Sequence, residues 1–153
     1  MNRKGFTLIE LMGVIVILSI IMLIAIPNVT STLEKTKKDA YIADAKKFVS
    51  LVQYELRTGN IEKPTPSNYV IVHLGDLKTD QISKDPDGNL YDTEKSFVFM
   101  QVIDGYINYY VSLIVDTGDC NAARGIGNVN YENLDGDTRY DAYSDRLNIC
   151  GKN

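Results

Sequence analysis

A chain of 153 residues with 44% hydrophobic and 24% charged content is enough for one compact domain and too short for a multidomain machine. Its apolar share is near the globular average, which excludes disorder over most of the length. The formal net charge is −4, and beyond Ile26 14 basic residues stand against 19 acidic ones, the wrong balance for a protein whose main business is neutralising nucleic-acid phosphates.

The apolar residues are unevenly distributed. From Leu11 to Ile26 only Gly13 and Ser19 interrupt them. Taken from Phe6, the run measures about 30 Å as a helix, the thickness of a bilayer's hydrocarbon core. A cleaved secretory signal would also begin with basic residues such as Arg3 and Lys4, but Ala25-Ile26-Pro27 is not its small-x-small site. Glu10 is the telling residue: a carboxylate one turn inside an apolar segment costs a few kcal/mol on insertion, so it marks a functional site in need of a partner.

The residues Lys4-Gly5-Phe6-Thr7-Leu8-Ile9-Glu10 resemble the processing site of type IV prepilins and related pseudopilins. The short basic leader, the apolar run and Pro27 fit the same pattern, so the resemblance covers about the first thirty residues closely. It implies a leader over residues 1–5, a membrane and polymerisation helix over 6–27, and an amphipathic helix half with a globular head over 28–153. A membrane-bound prepilin peptidase would cut after Gly5, on the cytoplasmic side, and methylate the new amino terminus at Phe6. Physics gives each part a reason. Gly5 has no Cβ, so a protease can approach the backbone and the scissile segment is not locked into the following helix. Cleavage exposes a cationic amine at Phe6, with which Glu10, one turn deeper, can pair on its own chain or on a neighbour, setting register. Counting Lys and Arg leaves orientation close to a tie, because lysines at 35 to 38 oppose Arg3 and Lys4; topology rests on the resemblance.

After Pro27, apolar residues at Val29, Leu33, Tyr41, Ala45, Phe48, Val52 and Leu56 recur mostly three and four apart, which predicts that the helix continues to Arg57, about 80 Å in all. Pro27 is expected to bend it or melt it locally, since it removes one backbone hydrogen bond and clashes with the preceding turn. Lys35, Lys37, Lys38, Lys46 and Lys47 are interleaved with Glu34, Asp39 and Asp44, as on a solvated face. Thr58-Gly59-Asn60 stops the helix, and Pro64 and Pro66 mark a loop. Tyr69–Leu74 reads as a short strand, with His73, the sole histidine, as a partly buried structural residue.

The clearest β signal is Ser96–Ile103, then Asp104-Gly105, then Tyr106–Val115. Asp-Gly between two such runs predicts a type I′ hairpin pairing Ile103 with Tyr106. Counting outward, Val98, Met100, Val102, Ile107, Tyr109, Val111, Leu113 and Val115 share the face expected to lie on the helix, and Gln101, Asn108 and Ser112 share the other with aromatics. The expected fold is therefore α+β and pilin-like, one long amino-terminal helix packed on a small antiparallel sheet. Between strand and hairpin, Asp85, Asp87 and Asn89 alternate as at the start of a calcium loop. Leu90 and Ser96 stand where that loop needs glycine and glutamate, so a β-turn is predicted. The stretch is also similar to the Asp-Pro-x-Gly-x-x-Tyr segment of major pseudopilins. Asp135-Gly136-Asp137 with Asp141 is a second acidic cluster with no stronger claim on calcium. Cys120 and Cys150 bracket a segment poor in apolar residues. Type IV pilins often close a carboxy-terminal loop with a disulfide, and one here would contribute roughly 3 to 4 kcal/mol. Two free thiols are the alternative, while zinc lacks ligands and a redox pair lacks its C-x-x-C spacing.

No nucleophile elbow, phosphate loop or acid–base pair with a plausible pocket is recognisable, so no enzyme activity, cofactor or metal is expected. The resemblance implies a structural subunit of a type IV pilus-like filament, held in the cytoplasmic membrane as a single-pass precursor, processed, and polymerised through its apolar helix into a surface filament serving adhesion, motility, DNA uptake or aggregation. Its implied partners are the prepilin peptidase, identical or related pilin subunits, a pilus assembly platform and the membrane, with no direct nucleic-acid binding by the head. The alternative is a pseudopilin of a type II secretion or competence apparatus. A different class would be a membrane-anchored enzyme or sensor that begins with a prepilin-like segment.

Overall fold

The computed structural model describes residues 5–115, 117–118, 123–135 and 141–147, and of residues 27, 28, 145 and 146 the backbone alone. The chain divides into two units, Met1–Thr36 and Lys37–Asn153, each taken by itself here. One helix, α1 (Leu8–Thr58), contributes to both. It begins two residues after the expected Phe6 because Thr7 caps it. The helix is unbroken across Pro27, so the backbone does not melt there, and a bend at that residue stays a proposal. Every described side chain between Leu8 and Thr36 is exposed, including those of Val29 and Leu33, which were expected to continue the amphipathic stripe.

In the second unit α1 turns amphipathic. Tyr41, Ile42, Ala45, Phe48, Val49, Val52 and Leu56 recur at helical spacing and all are buried. The helix ends where glycine permits it: Gly59 adopts φ +82°, its N–H donates to Leu56 O at 3.4 Å, and Asn60 N–H donates to Glu55 O at 3.0 Å, a Schellman termination. The buried face packs on an antiparallel sheet whose strands are β1 (Val70–His73), β2 (Phe97–Ile103), β3 (Tyr106–Val115), β4 (Ala123–Asn130) and β5 (Tyr143–Leu147), ordered in space as in sequence. Asp104 and Gly105 both take positive φ, +52° and +82°, so the hairpin turn is type I′ and Ile103 pairs with Tyr106. The expected face then follows. Val98, Met100, Val111, Leu113 and Val115 are buried with Phe48 and Val52, and Ile107 and Tyr109 pack at their edge.

Strands β4 and β5 lie in the interval read from sequence only as apolar-poor. β4 reads Ala-Arg-Gly-Ile-Gly-Asn-Val-Asn, with two glycines where propensity favours β-branched residues. The glycine at 125 is structural: at φ +135° a Cβ there would stand 2.0 Å from Leu113 O, so only glycine lets β4 approach β3. His73 is exposed rather than partly buried, because it sits on the outer face of edge strand β1; its Nδ1 lies 2.6 Å from Glu94 O.

The 84–91 segment is the predicted turn, closed by hydrogen bonds from Asp85 N–H to Asn89 O and from Gly88 N–H to Asp85 O. It is built around a buried carboxylate that was not anticipated. Asp85 Oδ1 accepts from the backbone amides of Asp87 and Asn89, at 3.0 and 2.7 Å, and Oδ2 accepts from the Tyr41 hydroxyl at 2.8 Å. Asn89 Nδ2 also donates to it, and Arg124 lies 3.7 Å away. These bonds use the oxygens a cation would need. Burial alone would raise the Asp85 pKa, but the hydrogen bonds from Asn89, Tyr41 and the two amides outweigh it and hold the carboxyl below the usual range. Nearby, the Tyr91 hydroxyl donates to Asp44 at 2.9 Å, and burial pushes Asp44 up. Several of the lysines read as a solvated face tie α1 to loops: Lys37 pairs with Asp87 at 2.6 Å, Lys46 with Asp135, and Lys47 donates to Gln81 O at 3.1 Å. Cys120, Cys150, Gly136 and Asp137 lie outside the described residues, as does the leader before Gly5.

Candidate functional site

The amino-terminal segment carries the residues singled out for processing and assembly. Gly5, Phe6 and Thr7 lie outside regular structure and are exposed, Phe6 at 90%. The bond between Gly5 and Phe6 is therefore exposed and outside the helix. The helix starts at the next residue, and Thr7 and Glu10 begin it together. Thr7 Oγ1 accepts from Glu10 N–H at 3.3 Å, while Glu10 Oε2 accepts from Thr7 N–H and from the Thr7 hydroxyl, both at 2.8 Å. This is a capping box, in which two of the helix's orphan donors are satisfied reciprocally.

Glu10 was singled out as a charge without a partner, and here it has one three residues away. Thr7-Leu8-Ile9-Glu10 is the Thr-x-x-Glu signature of a helix start, and that signal in the sequence would have found Thr7. Beyond it, the polar residues of the apolar stretch are satisfied within the helix. The Ser19 hydroxyl donates to Ile15 O at 2.7 Å and that of Thr30 to Ile26 O at 3.4 Å. This stretch is long and apolar enough to cross a membrane, and none of it is buried in the chain itself. Pro27 lies within the helix just past it.

A family model described as the prokaryotic N-terminal methylation motif matches residues 1–26. Residues 1–26 are a prepilin-type amino terminus. The chain also matches curated relatives over short stretches. The chain is 53% identical over 38 residues to a protein of Bacillus licheniformis named ComG operon protein 3 homolog, a match covering 25% of this chain and 39% of the relative. It is 63% identical over 30 residues to competence protein ComGC of Bacillus subtilis, covering 20% of this chain and 31% of the relative. The chain thus spans well under half the length of these relatives. No solved structure matches the chain. Among the described residues, no three His, Cys, Asp or Glu side chains are grouped so that they could hold a metal ion.

Proposed function

We propose that the chain is a structural subunit of a type IV pilus-like filament, cut by prepilin peptidase between Gly5 and Phe6, N-methylated at Phe6, and polymerised through the apolar half of α1. The observation that carries this reading is the stretch from Leu8 to Ile26, exposed among the described residues and joined directly to the prepilin-type sequence. Such a helix is stable in a bilayer as a precursor and against copies of itself once extracted, since either environment removes its side chains from water. Glu10 then acts in assembly. Its intrachain capping bonds can be exchanged for the methylated Phe6 amine of an adjoining subunit, a pairing that fixes axial register. Pro27 would kink the helix below the head, and a Cys120–Cys150 disulfide would close the carboxy-terminal loop outside the cytoplasm. The role is structural rather than enzymatic, with identical or related subunits, an assembly platform and the membrane as partners and a surface filament as the product.

The second reading, a pseudopilin of a competence or secretion apparatus, is favoured by the names of both relatives, one a competence protein and the other a ComG operon protein homolog. It shares every step up to polymerisation. The test is amino-terminal mass spectrometry together with assembly of Glu10→Val. The expected mature chain begins at N-methyl-Phe6, and the cleaved variant accumulates in the membrane with little filament. Recovery of only intact chain beginning at Met1, from cells with active peptidase, overturns the processing step. Normal filament yield from cleaved Glu10→Val overturns the role of Glu10. Electron microscopy then separates the two readings, long surface filaments supporting a pilus and their absence with retained DNA uptake supporting a pseudopilus.

A further inference from the structure

The outer face of the sheet, turned away from α1, is neither a conventional polar surface nor a covered core. Tyr69 packs on Phe99 with ring centroids 5.3 Å apart, and Phe99 on Tyr110 at 5.8 Å, giving a row of rings across three neighbouring chain segments. Tyr69 is 59% exposed and Ile71, which pairs with Phe99, 42%. The next rung along β2 and β3 is a pair of amides, Gln101 opposite Asn108. Gln101 makes no side-chain hydrogen bond among the described residues, and Asn108 uses only one N–H, toward Tyr106 O at 3.2 Å. No Asp, Glu, Lys or Arg belongs to this platform. In the other direction the face runs into a cleft of about 450 Å³ between Phe97, Ser112 and Leu147, with Glu94 and Lys95 on its lining.

We propose that this face binds a neutral, β-linked polysaccharide. A pyranose with equatorial substituents has an apolar C–H face and a rim of hydroxyls. The first stacks on an exposed ring, and the second needs side chains that both donate and accept, as an amide does. The platform offers a ring row beside an amide rung at the interstrand spacing of about 5 Å, close to the length of one sugar unit. The absence of charged side chains from the ring and amide rows disfavours the competing ligands. A nucleic acid could stack on the same rings, but its phosphates would find no cation on the platform in a head that is net acidic. A purely apolar partner would bury both amides unpaired. A pocket-and-platform arrangement of this size holds a short run of sugars, with the end unit in the Phe97 cleft.

The experiment titrates chitohexaose into the full chain in dodecylphosphocholine micelles, a detergent without a sugar headgroup, and follows binding by calorimetry and ring-proton shifts. Saturable binding is expected. Tyr69→Ala should weaken it about tenfold, a loss of about 1.4 kcal/mol, and Gln101→Ala should weaken it about fivefold. Tyr69→Phe, which keeps the ring, and Tyr54→Ala, an exposed tyrosine on α1, should stay within about twofold of the wild type. Tyr69 precedes β1 and is largely exposed, so its loss leaves the fold in place, which the unchanged melting temperature of the variant would verify. Three results overturn the proposal: no saturable binding, equal binding by wild type and Tyr69→Ala, or tighter binding of a twelve-residue oligothymidylate. Concentration-dependent dimerisation that Tyr69→Ala abolishes and chitohexaose does not compete would likewise overturn it, assigning the face to a second copy of the chain.

Discussion

Replacing Asp85 with alanine tests whether the 84–91 segment is held by the buried carboxylate or merely by its turn. The side chain is fully buried and receives hydrogen bonds from two backbone amides, the Asn89 amide and the Tyr41 hydroxyl, with Arg124 beside it. The two backbone donors are only part-buried and can recover water, so each should cost about 1 kcal/mol net. Tyr41 cannot: it is 1% exposed, and its stranded hydroxyl adds about 1 to 3 kcal/mol. Arg124 keeps Asp87 as a partner at 3.3 Å, so its guanidinium is not abandoned. The sum is roughly 4 kcal/mol, or a fall in Tm of roughly 12 °C for a domain of this size. Thermal unfolding of the full chain in micelles, followed by near-ultraviolet circular dichroism of its tyrosines, measures it. Asp87→Ala is the internal comparison, because its ion pairs with Lys37 and Arg124 are partly solvated and should be worth about 1 kcal/mol or less. A fall for Asp85→Ala no larger than that for Asp87→Ala would refute the reasoning and leave the turn as the sole determinant.

Other outcomes follow from the same geometry. Since the folded state holds Asp85 below its unfolded pKa near 4, its stabilisation is present above that pH and lost as pH falls through the folded value; Asp85→Asn should therefore flatten the acid limb of a stability–pH curve. Asp44, pushed up by burial, works in the opposite sense and opposes folding as pH rises through its folded value, so Asp44→Asn should gain relative stability toward neutrality in the same titration. Gly125→Val should destabilise the head by about 3 kcal/mol or more, since its Cβ would meet Leu113 O at 2.0 Å; denaturant unfolding would show it. Thr7→Val removes a capping hydroxyl without changing volume, should cost the first turn of α1 about 1 kcal/mol, and is checked by faster amide exchange at Glu10 and Leu11.

The parts of this fold legible in the sequence are those with a strong local code. The Asp104-Gly105 turn dictates a two-residue hairpin, and from it the register of β2 and β3 follows by counting. The helix stop at Gly59 and the buried stripe from Tyr41 to Leu56 are equally local. What escaped was decided at a distance. β4 has little intrinsic strand preference, and its glycines make sense only once β3 is beside it. The Asp85 centre joins residues 41, 85 and 124, separations that no periodicity reports. At the amino terminus Glu10 was visible as a charge in an apolar run, whereas the capping bonds it exchanges with Thr7 needed the Thr-x-x-Glu spacing to be read as a helix start. Residues 1–4 of the leader and the two cysteines lie outside the described residues, so the disulfide stays a proposal drawn from the resemblance to type IV pilins.

Because each strand hydrogen-bonds only to its neighbours in sequence, no strand waits for one made later. A sheet of this order can zip forward as the chain becomes available, β3 closing on β2 through a two-residue turn before β4 and β5 exist. The costly entropic step comes earlier, when residues 74–96 must be looped to bring β2 against β1. That loop is the one gathered around Asp85, and its carboxylate reaches back to Tyr41 on α1. The buried hydrogen bond thereby ties the longest connection of the sheet to the helix it packs on, so the largest loop-closure cost of the head falls on that connection rather than on the hairpin.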